Sequence, residues 1–464
     1  MSFDETVVAA DAALSGELWG GDGGFGFLER LVDETRGRFA GTADERRAAE
    51  IILDAFERYG LQNVHREPFT YDGWTRGAPA TLRRLDTGES IATFSLPGSV
   101  PGAVDAEVID LGSATHDQIA DAGEALRGKI AIISAETPHG EKPAHRNEKA
   151  ARAARNGAAA VLWMRDEPGQ LAETGSLFFR DAPQIPGIAI TREDGLRLAR
   201  QSRAKAIRLA MNTHDTPHRL ESWNLLGEIP GTDLAHEVIM VGAHYDGHDV
   251  AEAANDNGSG VAAILEAARA LVRQAPHLRR TVRFISFGVE ELGLYGAHAY
   301  CRQHKETDLA AVRFLFNLDT IASPGMTKGV ATQKRPELRS LLHEIGTAMG
   351  DAFPVRDDLS MYSDQFPFVI AGVPSGMLTN PDARRSGRGE GHTTSDTLDK
   401  VHPLSLKLST LFTARLILYL ANADPWPAHH WGDDETRETL EKAGVRPTME
   451  TEGTWPWPTE QAQG

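Results

Sequence analysis

From Ser222 onward, short apolar runs alternate with longer segments whose apolar residues recur every three to four positions. The runs near 237–243, 281–287 and 312–318 are rich in Val, Ile, Leu and Phe, as strands covered on both faces must be, and a fourth strand is expected at 375–378. Helices are expected near 259–274, 292–304, 335–349 and 403–421. This alternation predicts an α/β fold with a mostly parallel central sheet flanked by helices. Upstream, about 25–69 reads as helical. Within it, 44–59 places Ala48, Ile51, Ile52, Ala55 and Phe56 on one face, and Gly60 follows as a stop.

The segment between these regions has a different texture. Residues 70–100 are rich in Gly, Pro and Thr, which marks strands and a domain crossing. Beyond them lie a strand at 128–133, an Ala- and Arg-rich helix at 144–156, a strand at 158–164, and a strand at 185–190 leading into a helix at 194–202. The expected division is a discontinuous main domain (1–75 and 220–425), a smaller inserted α/β domain (76–219), and a tail (426–464). The tail is dense in Pro and Trp, with one short charged helix near 435–444. Its Trp426, Trp431, Trp455 and Trp457 are costly to leave in water. They are expected to cover the main domain or a partner subunit, which leaves room for a homodimer.

The polar residues at the ends of the apolar runs change the picture. His244-Tyr245-Asp246 follows the first run, Glu290-Glu291 the second, and Asp319 ends the third. Open α/β sheets build their sites at these C-terminal strand ends. Asp256 lies in Asn255-Asp256-Asn257-Gly258-Ser259-Gly260 just ahead of a helix, where the helix N-terminus favours a carboxylate. His392 sits in a loop before the last long helix. Singly, each has an ordinary explanation: a histidine at a strand end is usually a satisfied polar residue, Glu-Glu is usually solvated surface, and Asn-Asp-Asn-Gly is first a turn. Together, two imidazoles and three carboxylates at one sheet edge form a nitrogen–oxygen donor set suited to zinc, with cobalt or manganese as substitutes. Five side chains serve two Zn2+ ions if one carboxylate bridges. Asp256 is the expected bridge, with His244 and Asp319 on one ion and Glu291 and His392 on the other. Glu290, pointing away from its neighbour, is left to act as general base, and Asp246 to orient His244. The histidines His248, His277, His298, His304 and His343 lack this placement and read as surface or core, His248 lying nearest.

Composition narrows the class. A net charge of −18 argues against nucleic-acid binding, which needs a basic face. A single cysteine, Cys301, excludes an internal disulfide and favours a reducing compartment. The acidic N-terminal stretch lacks the pattern of a signal peptide, and no membrane helix is expected. The expected location is the cytoplasm.

At these motifs the sequence resembles the co-catalytic di-zinc exopeptidases, a family that contains leucine-type aminopeptidases, glutamate carboxypeptidases and a metal-free receptor ectodomain. The matching stretches are Gly242-Ala243-His244-Tyr245-Asp246, Asn255 to Gly260, Phe287-Gly288-Val289-Glu290-Glu291-Leu292-Gly293, Asn317-Leu318-Asp319 and His392-Thr393-Thr394-Ser395-Asp396-Thr397-Leu398-Asp399. The resemblance covers about 220–422 and, as the N-terminal helical piece, 25–70. It implies a zinc-peptidase (phosphorylase/hydrolase-like) fold and the same ligand, base and orienting roles. The inserted unit resembles a protease-associated domain. Ser363-Asp364-Gln365-Phe366-Pro367-Phe368 resembles a family stretch that lines the substrate pocket and commonly has His where Gln365 stands. Tyr362 is implied as a carbonyl-polarising group, and Asp364 and Gln365 as pocket residues.

The expected activity is an aminopeptidase that hydrolyses N-terminal residues through a bridging hydroxide. An arginine cluster, Arg384, Arg385 and Arg388, keeps a carboxypeptidase or dipeptidase open, because guanidinium forks hold carboxylates. A non-peptide amidase with the same metals is a further alternative. Retention of every ligand and of Glu290 argues against a non-catalytic scaffold.

Overall fold

The computed structural model of the chain describes residues 3–177, 184–325, 328–380 and 390–458. It divides into two compact units: Met1–Thr70 with Glu221–Gly391 and Ser395–Thr436, and Tyr71–Leu220 with His392–Thr394 and Arg437–Gly464.

The first unit is built on an eight-stranded sheet. The spatial order is Gln62–Thr75, Thr216–Ile229, Arg280–Phe287, Leu234–His244, Val312–Asn317, Ser375–Thr379, Gly329–Thr332 and Val355–Asp357. The central four strands, from Arg280–Phe287 to Ser375–Thr379, run parallel, with antiparallel partners outside them. This is the mostly parallel α/β fold expected. Val238 to Ala243 is buried without interruption, which explains the absence of polar alternation in that run. Register then aligns the strand ends: His244 is opposite Phe287, and Gly242 is opposite Asn317. Whatever follows Phe287 and Asn317 must therefore emerge beside His244.

Helices Ser259–Val272 and Pro403–Asn422 pack against each other and carry much of the core. Pro403–Asn422 is long and apolar enough to cross a membrane, but most of it is buried inside the unit as a core helix. Upstream, one helix was not expected and one expectation holds only in part. Glu5–Gly20 is a helix that small residues conceal: Val7, Ala10, Leu14 and Leu18 are buried, and it packs on Pro403–Asn422. The helical reading of 25–69 holds only for Phe25–Glu34 and Ala43–Tyr59. Gly60, at φ +88°, ends the helix, and Gln62–Thr75 is a strand with Phe69, Tyr71 and Gly73 buried in alternation.

The second unit holds another eight-stranded mixed sheet. Gly102–Asp110, Ile130–Ser134, Ala160–Met164 and Gly187–Ile190 run parallel at its centre. The tail, expected as a cover for the main domain or a partner subunit, divides. Trp426 and Trp431 lie under the guanidinium groups of Arg280 and Arg335 in the first unit. From Arg437 the chain belongs to the second unit, where Met449 is buried and helix Arg446–Glu452 packs on Arg146–Arg155.

Candidate metal centre

His244 closes its strand and is buried. Its Nε2 lies 3.5 Å from Asp256 Oδ1 and 3.7 Å from Asp319 Oδ1, and makes no hydrogen bond among the described residues. A hydrogen bond would bring N and O to about 2.7–3.2 Å. Two donors on one tetrahedral zinc, each at 2.0–2.1 Å, stand about 3.4 Å apart. The three side chains are spaced for a shared cation rather than for one another. Charge agrees. Burial disfavours a proton on His244, but the carboxylates of Glu290, Asp246, Asp256 and Asp319 outweigh it and hold the imidazole well above its ordinary pKa. So acidic a cavity demands a positive charge.

The Asp256 turn is held from three directions. Asp396 accepts the backbone N–H groups of Asn255 (2.9 Å) and Asp256 (3.1 Å) on its two carboxylate oxygens. Burial and Asp256 push its carboxyl up to about 6, against those donors and Arg38. Asn257 donates to Leu318 O (2.8 Å) and accepts from Thr320 N (3.2 Å), tying the turn to the strand end that carries Asp319. Arg38, wholly buried, donates to Tyr245 O (2.9 Å), Glu252 O (2.9 Å) and Ala253 O (2.6 Å).

Asp246 does more than orient His244. His244 Nδ1 lies 3.1 Å from the backbone carbonyl of Asp246 and 3.7 Å from its carboxylate. The carboxylate accepts the N–H groups of Glu290 (3.0 Å) and Glu291 (3.3 Å). One aspartate thus joins two strand ends. Val289 precedes the glutamates at φ +60°, a left-handed conformation costly for a β-branched residue, and turns them out of the strand. Burial pushes the Glu290 carboxyl well above the carboxylate range; His244 pulls it down, and Glu291, Asp319 and Asp364 push it further up.

Ser363 donates to Asp319 Oδ2 (2.8 Å) and accepts from Asn317 Nδ2 (2.8 Å). Ser363→Ala is expected to weaken cation binding about 10- to 100-fold, as loss of a ligand's hydrogen-bond partner does, with folding intact. Metal titration against a competing chelator reads this directly, and unchanged affinity would remove Ser363 from the site.

The expected pocket residues fare differently. Gln365 is buried, and its amide is spent on Ser360 O (2.9 Å) and Asn317 Nδ2 (3.2 Å). Asp364 is also fully buried, neither oxygen making a hydrogen bond among the described residues, and burial holds its carboxyl well above the usual range. Tyr362 is half-buried. Arg384, Arg385 and Arg388 lie outside the described residues. His392 belongs to the second unit, with Nδ1 3.2 Å from Thr174 O. Sequence reasoning missed Arg38, Asn257, Ser363 and Asp396 as supports of the site. It also set His248 aside, although His248 Nε2 lies 2.9 Å from Glu291 Oε2.

A parallel α/β sheet whose strand ends gather imidazole and carboxylates in a cation-seeking cavity defines a metal-dependent hydrolase. Known proteins narrow this. Residues 224–417 match the family model of peptidase family M28, and 104–198 match the PA domain. Carboxypeptidase Q of Mus musculus is 30% identical over 414 residues, 86% of this chain and 85% of that protein. Aminopeptidase YwaD of Bacillus subtilis is 30% identical over 297 residues, 64% of this chain and 61% of that protein. The crystal structure of a peptidase M28 precursor from Shewanella amazonensis superposes with TM-score 0.80 at 24% identity, covering 93% of this chain and all of that one. The chain belongs to peptidase family M28, with an inserted PA domain, and is a metallo-exopeptidase.

Proposed function

We propose that the chain is a di-zinc aminopeptidase. His244, Asp256 and Asp319 would hold one Zn2+, and Glu291 with, on the resemblance of its loop, Asp256 and His392 would hold a second. When bound, the ions supply Lewis acidity and lower the pKa of a water. Glu290 would take the proton of the attacking water and deliver it to the leaving amine. Asp246 holds both glutamates and His244 in place for this exchange.

The observation that carries the aminopeptidase reading is the sign of the site. Beyond the carboxylates assigned to the ions, Glu290 and Asp246 also act on His244. A free α-ammonium is attracted to such a surface, whereas a substrate carboxylate needs a basic partner. The name aminopeptidase borne by the Bacillus subtilis relative supports this reading. A carboxypeptidase or dipeptidase is the second reading, favoured by the longer match to carboxypeptidase Q.

A panel of aminoacyl amides and dipeptides, each with free and blocked ends, separates the two. Cleavage of unblocked aminoacyl amides, lost on N-acetylation, is the expected result. Cleavage that requires a free C-terminal carboxylate would replace the aminopeptidase by its rival. Chelator treatment is expected to abolish turnover, and zinc, cobalt or manganese to restore it; elemental analysis finding no metal in active protein would sink both readings.

A further inference from the structure

A buried acid in the first unit takes no part in the proposed mechanism. Glu45 lies in the first turn of helix Ala43–Tyr59 and is 0% exposed. Its Oε2 accepts the backbone N–H of Gly41 (2.6 Å), and its Oε1 accepts the hydroxyl of Ser222, a residue 177 positions away and equally buried. The Thr42 hydroxyl accepts the Glu45 N–H (3.3 Å), so the helix start fixes the backbone of the glutamate. Burial pushes its carboxyl up to about 7 against the Ser222 and Gly41 donors; Asp246 adds to the rise and Arg46 opposes it. A helix start can be capped from the surface without desolvating a carboxylate, so this placement calls for a further reason.

Ser222 supplies that reason. It stands against Gly288, the residue that leads from the strand end at Phe287 into Val289-Glu290-Glu291. A Cβ on Gly288 would fall 2.8 Å from Ser222 Oγ, 2.6 Å from Trp223 O and 3.4 Å from Tyr245 Cε1. Asn224 Oδ1 accepts the Gly288 N–H (3.3 Å), and Tyr245 donates its hydroxyl to Trp223 O (3.1 Å). Gly288 is therefore seated on three consecutive residues of strand Thr216–Ile229. Only one of the three, Ser222, is tied through its side chain to the start of the chain. A hydroxyl whose hydrogen is committed to a carboxylate keeps that hydrogen away from Gly288, which permits the close approach.

We propose that Glu45 is a positioning residue for Glu290: through the Ser222 hydroxyl it seats Gly288, and so sets where the turn at Val289 begins and where the Glu290 carboxyl is placed. The start of the chain then supports the site at two points. Arg38 holds the loop that leads to Asp256, and Glu45 holds the residue that leads to Glu290. The inference rests on the general-base role given to Glu290 above.

Backbone amide exchange over 288–294 in the metal-free protein tests the seating, and kcat and KM of the zinc-loaded protein test its consequence. Glu45→Ala and Ser222→Ala are each expected to speed exchange in that segment about 10-fold. Each is expected to lower kcat about 10- to 100-fold, the cost of misplacing a reacting group by about 1 Å, with KM and zinc content close to wild type. Glu45→Gln can accept from Gly41 and donate its amide N–H to Ser222 Oγ, and is expected to recover most of both losses. Ile52→Ala, which removes a buried contact from the same helix, is expected to lower the unfolding temperature while leaving kcat and the exchange of 288–294 as in wild type. Ser222→Ala, the milder change, decides the matter if Glu45→Ala does not fold. Wild-type exchange and kcat in Ser222→Ala would overturn the proposal. So would an Ile52→Ala protein that loses both as far as Glu45→Ala does, since the effect would then be one of helix stability. Full turnover in Glu290→Gln, with 288–294 still loosened by Ser222→Ala, would instead refute the general-base reading, so the two failures are distinct.

Discussion

Glu290→Gln is expected to retain both ions and lower kcat by about 10²- to 10⁴-fold, the usual contribution of a positioned general base. The substitution preserves shape. Glu290 is placed by its backbone, through the Asp246 contact to its N–H and the left-handed turn at Val289, and neither depends on the carboxyl group. An amide cannot take the proton, so chemistry is lost without loss of site. A second signature separates this from structural damage. Because the folded-state pKa of Glu290 is raised above its value of 4.5 in the unfolded chain, its ionisation opposes folding. That contribution lowers apoprotein stability as pH rises through the unfolded value. Glu290→Gln removes it, so the metal-free variant is expected to unfold at a higher temperature than metal-free wild type at pH 7, with a flatter pH dependence. Turnover within tenfold of wild type, with both ions bound, would take the base role away from Glu290.

Where the candidate ligands stand was legible because strand ends are legible. Uninterrupted apolar runs locate the buried strands, and parallel register brings the first polar residues after each to one edge. His244, Glu290 with Glu291, and Asp319 follow from that alone. What holds them was not legible, because each support acts across a long chain separation through backbone atoms that any residue has. Arg38 lies 207 positions from Tyr245 and Asp396 lies 140 from Asp256, and in each case the contact is to a main-chain carbonyl or N–H. No periodicity or motif marks an arginine that will be buried; by type it reads as surface. His248 was discounted for the converse reason, since it does not end a strand and only the closing of its loop brings it to Glu291. The amide of Gln365, a pocket residue by resemblance, completes the chain of hydrogen bonds behind Asp319, which no motif announces.

Arg38→Met is expected to destabilise the metal-free protein by about 3–5 kcal/mol, the range for breaking a buried charged network by removing one partner. Two buried carbonyls and one part-buried carbonyl lose their donor, and an unsatisfied buried acceptor costs about 1–3 kcal/mol before the site relaxes. The larger consequence is electrostatic. Burial lowers the Arg38 pKa to about 10, while Asp396, Asp246, Asp256 and Glu291 pull it back up, so it remains charged at neutral pH. It is a permanent cation facing carboxylates that must stay ionised to bind metal. Arg38→Lys keeps the charge, but a single ammonium cannot span from Tyr245 to Glu252 and Ala253, so it should recover only part of the stability. Zinc supplies positive charge to the same carboxylates. The Arg38→Met deficit is therefore expected to be smaller in zinc-loaded than in chelator-treated protein when both are unfolded in urea. Equal deficits in the two states would mean that Arg38 acts only as a loop tie. A metal-free variant within 1 kcal/mol of wild type would mean that the carboxylate cluster needs no internal counter-charge.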